Sequence, residues 1–162
     1  MTLRRTGTFS LVSLTLLASS LAPAQTLATR KALTLAAAKQ IAAAAEAEAV
    51  KNKWNVVIAI VDEGGHLIYL QRMDETQVAS TDIAPMKART AATFKRPSKV
   101  FEDRAKSDGV NVLGLPGVLP SEGGLPIMVD GKVIGAIGVS GVLSSQDGII
   151  AKAGVDAAAN LK

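Results

Sequence analysis

The spacing of apolar positions changes from segment to segment along this chain, and each period implies an element. Leu35, Ala38, Ile41, Ala42, Ala45 and Ala49 recur at the intervals of one helix face. Thr34 stands where its hydroxyl can cap the first turn, so the spacing predicts a helix over Leu35 to Asn52. Nine alanines within it leave a thin apolar face that lets the helix lie close on its cover. Val56 to Val61 is then continuously apolar and contains β-branched residues, as in a strand buried on both faces. Asp62-Glu63-Gly64-Gly65 reads as a turn and His66 to Arg72 as the return strand, which makes a hairpin.

Further on, Ser80 or Thr81 can cap a helix ending near Phe94, with Pro85 expected in or near its first turn. Pro97 closes that helix, and Ser98 can cap a short one through about Ser107. Asp108 to Gly124 carries five glycines and two prolines and reads as a long loop, a kind of segment that often has a function. Leu125 to Val129, Asp130-Gly131 and Lys132 to Ser140 form the strongest local pattern, two apolar arms about a two-residue turn. Gly135, Gly138 and Gly141 on the second arm predict bulges or close backbone approach. Ser144 or Ser145 can cap a last helix to about Leu161. The order helix, hairpin, helices, hairpin, helix predicts an α/β (α+β) fold, an antiparallel sheet flanked by helices, with no repeat, linker or second domain.

Ahead of these elements, Arg4-Arg5, the uncharged apolar run Phe9 to Leu21 and Ala22-Pro23-Ala24 have the three parts of a secretory leader. The run is shorter than the roughly 20 residues that span a bilayer. The expectation is a signal peptide over 1–24, a single domain over 25–162 and a periplasmic or secreted location, with no stable membrane span after leader removal. Losing Arg4 and Arg5 leaves 16 bases against 14 acids, so the formal charge falls from +4 to +2. With only Trp54, Tyr69, Phe94 and Phe101 as aromatics beyond the leader, neither a basic surface nor a stacking platform for nucleic acid is expected. The absence of cysteine excludes disulfides, thiolate metal sites and covalent haem attachment. One histidine excludes a site of two or three imidazoles within one chain.

The side chains offer little conventional catalytic machinery. A Ser-His-Asp hydrolase would need His66 as base, yet no G-x-S-x-G occurs, and Gly138-Val139-Ser140-Gly141 has a different spacing. Gly123-Gly124 leads into a strand, whereas a phosphate cradle requires a helix N-terminus. The acidic pairs Asp62-Glu63, Asp74-Glu75 and Glu102-Asp103 suit turns and caps. His66 stands out by type: a lone imidazole can ligate a haem iron axially, shuttle a proton, or sit in an exposed turn. Tyr69, Met73 and Met86 are the alternative axial ligands.

Several stretches, in order, resemble the GlcG/HbpS family. They are Val61-Asp62-Glu63-Gly64-Gly65-His66-Leu67-Ile68, Arg72-Met73-Asp74, Lys87-Ala88-Arg89-Thr90-Ala91 with Phe94, and Gly123-Gly124-Leu125-Pro126-Ile127 leading to Gly135-Ala136-Ile137-Gly138-Val139-Ser140-Gly141. The same domain resembles the C-terminal part of PduO-type cobalamin adenosyltransferases, and the likeness runs from Leu33 onward. It implies a profilin-like fold, homo-oligomers that are often octamers, and non-covalent haem binding. It also implies roles for some secreted members in iron handling, oxidative-stress protection or signalling to a sensor kinase. The Glu-x-x-Glu pair proposed for iron in one secreted member is missing, since Glu46-Ala47-Glu48 has the wrong spacing.

The resemblance thus implies a haem- or small-ligand-binding homo-oligomer. His66 is the candidate iron ligand, and Lys87, Arg89, Gly123 and Gly124 are candidate contacts. Lys87 can pair either with a haem propionate or with an acid across a subunit boundary. Two other functions fit the same residues. One is an enzyme acting on a small oxidised metabolite or on haem; the other is an envelope protein that modulates a partner.

Overall fold

The computed structural model describes residues 26–107 and 109–159. The leader and the expected end of the last helix at Leu161 lie outside the described residues. Helix α1 (Leu35–Lys51) is followed by strands β1 (Val57–Asp62) and β2 (Leu67–Arg72), then helices α2 (Ser80–Phe94) and α3 (Lys99–Ser107). A 3-10 turn over Gly109–Gly114 precedes β3 (Gly124–Val129), β4 (Lys132–Ser140) and α4 (Ser144–Ala158). The two hairpins join through their inner strands into one open antiparallel sheet of order β2-β1-β4-β3. The fold is the mixed α/β arrangement that the residue pattern implies.

Side-chain alternation along β1 and β4 divides the core into two layers. Ile58, Ile60, Ile137 and Val139 face α1 and α4, meeting Ala38, Ile41, Ala42, Ala45, Ile150 and Ala151. Val57, Ala59, Val61 and Ala136 face α2, meeting Ala84, Ala88, Ala91 and Ala92. Each fully buried isoleucine or valine contributes about 1.5–3 kcal/mol of transfer free energy, so the first layer supplies most of the apolar stabilisation. The second layer is built of small residues and works by closeness: a Cβ on Gly138 would overlap the Ala84 carbonyl oxygen of α2.

Local chemistry sets the element ends, with some departures from expectation. Thr34 caps α1 by accepting from the Ala37 amide at 3.1 Å. Asp130 at φ 50 and Gly131 at φ 71 form the tight β3–β4 turn. Neither Ser80 nor Thr81 caps α2; Ala79 occupies the N-cap position without a side-chain bond. Ser80 instead turns inward to Ser140 (3.1 Å), and Thr81 donates to the Val78 carbonyl (2.7 Å). Pro85 therefore sits one or two residues deeper in α2 than those caps would place it, in the second turn. Leu143 takes the N-cap position of α4, where its amide donates to the Gln146 side chain at 3.2 Å.

Candidate functional site

The β1–β2 turn is organised by Asp62. Its Oδ1 accepts from the amides of Gly64 (2.9 Å) and His66 (2.8 Å), which fixes the loop as an Asx-type turn. The same carboxylate lies 3.2 Å from His66 Nδ1. Partial burial acts to raise the Asp62 carboxyl, but the His66 and Gly64 amides and the imidazole outweigh it and hold it below the ordinary value of 3.8. The imidazole is 81% exposed, and its Nε2 has no hydrogen-bond partner among the described residues. Gly65, at φ 83, passes so close to α2 that a Cβ there would come within 2.7 Å of Arg89 Cγ. The turn thus sets Arg89 beside Gly65, the residue before His66, and both the His66 and the Arg89 side chains are exposed.

Lys87 occupies the opposite, inward side of α2, as two residues' separation along a helix requires. Its side chain is 3% exposed, and its ammonium donates to Asp147 Oδ2 at 2.8 Å; the Asp147 side chain is 2% exposed. Burial pushes the Asp147 carboxyl above its ordinary value, opposed by the Lys87 ammonium and the amides of Val142 and Gly141. The acid comes from the same chain, so the pair fastens α2 on one sheet face to the first turn of α4 on the other.

Gly123 makes this crossing feasible. It adopts φ 123, and a Cβ would sit 2.9 Å from Asp147 Cβ and 3.0 Å from Lys87 Nζ. Gly124 lies directly under the Lys87 backbone, and its amide donates to Ser98 Oγ (2.9 Å), which donates in turn to the Ser121 carbonyl (2.6 Å). The structure therefore groups Lys87 with Gly123 and Gly124 inside the protein and leaves His66 and Arg89 exposed at the surface. No hydrogen bond or ion pair among the described residues joins the two groups. Asp147, 60 positions from Lys87, is the partner that sequence reasoning missed. An acid in the first turn of a helix looks like an ordinary dipole partner, and nothing in the local pattern marks it as buried.

Of the alternative iron ligands, Tyr69 is half-buried with its hydroxyl donating to Gln71 (3.1 Å), Met73 packs on the core, and Met86 is 49% exposed. No group of three or more histidine, cysteine or acidic side chains among the described residues is arranged to hold a metal ion. No helix among them is long and apolar enough to cross a membrane.

Comparison with known proteins places these features in a family. Protein GlcG of Escherichia coli strain K12 is 44% identical over 103 residues, 64% of this chain and 77% of that protein. A double mutant of HbpS from Streptomyces reticuli superposes with a TM-score of 0.74 at 32% identity, covering 87% of this chain and 97% of that one. A structure described as a PduOC:heme complex superposes with a TM-score of 0.72 at 30% identity, covering 78% of this chain and 95% of that one. The family described as "Haem degrading protein HbpS-like" matches residues 33–156, and the chain belongs to it.

Proposed function

We propose that this protein binds haem, with His66 as the axial ligand to iron and Arg89 as a partner for a propionate. The observation that carries the reading is the His66 imidazole. Its Nδ1 is held against Asp62 while Nε2 faces outward without a partner. A carboxylate behind a ligating imidazole fixes its orientation and raises its basicity. Arg89 lies across Gly65 beside the same turn, and Leu67, the residue after His66, is 54% exposed. The residues therefore supply a nitrogen donor, a cation and an apolar edge, which fits the group. Family membership and the haem complex formed by a relative support the same ligand.

A surface this open covers one side of a flat ligand, so the reading includes a homo-oligomer in which another copy covers the second side. Lys87, Gly123 and Gly124 act here by fixing α2, and with it Arg89. The leader-like segment over 1–24 supports a location in the periplasm or outside the cell. The mass of the exported protein checks this: an N-terminus at Gln25 is expected, and a retained Phe9 to Leu21 segment contradicts it.

The test of ligand binding is a haemin titration of the wild type and His66→Ala, followed in the visible spectrum after both have been sized. A saturable Soret shift that His66→Ala abolishes without changing assembly is expected. An unaltered shift in the variant removes His66 from the site, and no shift in the wild type removes haem. The family's description as haem-degrading favours a second reading in which bound haem is a substrate. That reading requires loss of the Soret band with release of a ring-opened product.

A further inference from the structure

Asp62 pairs with Gly135 across β1 and β4, so the β1–β2 and β3–β4 turns lie at the same end of the sheet. There the lead-in residues Ala28 to Lys31 and the β3–β4 hairpin enclose a cleft of about 840 Å³, with Glu63 and Lys95 also in its wall. This lies within the range of about 300–1,000 Å³ typical of small-molecule sites.

The cleft's apolar bed depends on an irregularity in the sheet. Val133 and Ile134 are consecutive in β4 yet both line the cleft, which regular strand alternation would forbid. The cause is a bulge: Ile127 pairs with Gly135 and Met128 with Val133, leaving Ile134 as the extra residue. Met128, 51% exposed, completes the bed.

Four cations, Arg30, Lys31, Lys95 and Lys132, line the cleft against two acids, Glu63 and Asp130. Lys31 pairs with Asp130 at 3.0 Å. None of Arg30, Lys95 and Lys132 has an ion-pair partner among the described residues. Lys95 follows the end of α2 at φ 54, the left-handed position where helices ordinarily place glycine. A lysine there brings an ammonium that a glycine would lack.

An apolar bed next to three unpaired cations matches one ligand chemistry. We propose that this cleft binds a small amphipathic anion, an apolar body bearing a carboxylate or phosphate head. The head lies on Arg30, Lys95 and Lys132, and the body on Met128, Val133 and Ile134. His66 does not line the cleft, and the site stands or falls separately from haem binding.

The experiment is calorimetric titration of the protein with octanoate, octyl phosphate and octanol. The variants are Lys95→Glu/Lys132→Glu and His66→Ala, with thermal midpoints as the control for folding. At least one anion is expected to saturate, with octanol weaker by about tenfold or more, the scale of a lost charge-assisted contact. The double charge reversal is expected to weaken the anion by a similar factor, and His66→Ala to leave it unchanged. The stronger of the two anions then identifies the head group. Octanol binding as tightly as the anions, no saturation by either anion, or indifference to the charge reversal overturns the proposal. If the double variant fails to fold, Arg30→Glu in the lead-in, outside any element, makes the same test.

Discussion

At the scale of single residues, the two candidate clusters respond differently to substitution. In the turn, Asp62 has two separable tasks, accepting from the Gly64 and His66 amides and backing the imidazole. Asp62→Asn keeps an oxygen for the amides and removes the charge behind Nδ1. The expected result is an intact fold with haem affinity weaker by about 10–100-fold, measured by the Soret titration. Inside, Lys87→Met leaves Asp147 buried without its cation, and a loss of about 3–5 kcal/mol is expected from urea unfolding. Adding Asp147→Leu should recover most of that loss, because two apolar side chains of similar volume need no partner. A double variant no better than the single one would show that the pair contributes through shape instead.

At the scale of elements, the sequence predicts best where the determinant is local. The alanine face of α1, the continuous apolar run of β1 and the Asp130-Gly131 turn each arise from residues near one another, and their elements appear where the pattern puts them. Pro85 and Ser80 show where local reasoning fails. Serine is a frequent cap, but the structure directs the Ser80 hydroxyl to Ser140, 60 positions away. Ser98 likewise holds Gly124 and Ser121 with its side chain, contacts that local sequence does not reveal. The candidate site divides in the same way. The order Asp62-x-Gly64-Gly65-His66 made the turn legible, whereas the Lys87 partner depends on how two layers meet. Glycine roles were legible in kind: Gly138 allows α2 to approach the sheet backbone. Gly138→Ala is expected to cost about 1–3 kcal/mol as α2 is displaced, read as a lower urea midpoint with unchanged helix content.

At the scale of the whole molecule, carboxyls govern the response to acid. Asp62 is held below 3.8 by its amide and imidazole partners despite some burial. Glu102 is held below 4.5, where the Lys106 ammonium and the Glu122 amide outweigh partial burial. For both, the unfolded chain takes up protons first as pH falls. Their stabilisation is therefore complete above the unfolded values and is lost as pH drops through the lower folded ones. Asp147 has the opposite sign: its carboxyl is raised, so between 3.8 and its folded value protonation favours the folded state. Urea midpoints should thus decline most steeply below 3.8, and Asp147→Asn should remove the opposing contribution above it. A midpoint independent of pH through that range would contradict the assigned directions.

The Lys87–Asp147 pair also bears on how the molecule comes apart. In a three-layer protein the outer helices can in principle peel away separately, each exposing only its own side of the sheet. Here α2 and α4 are joined past the end of β3 by one ionic fastening with both ends buried. Lifting either helix strands a charge in the interior, so the two layers are bound to open as a single event. Amide protons of α2 and α4 should then exchange with solvent at a common rate, set by global unfolding rather than by local fraying of either helix.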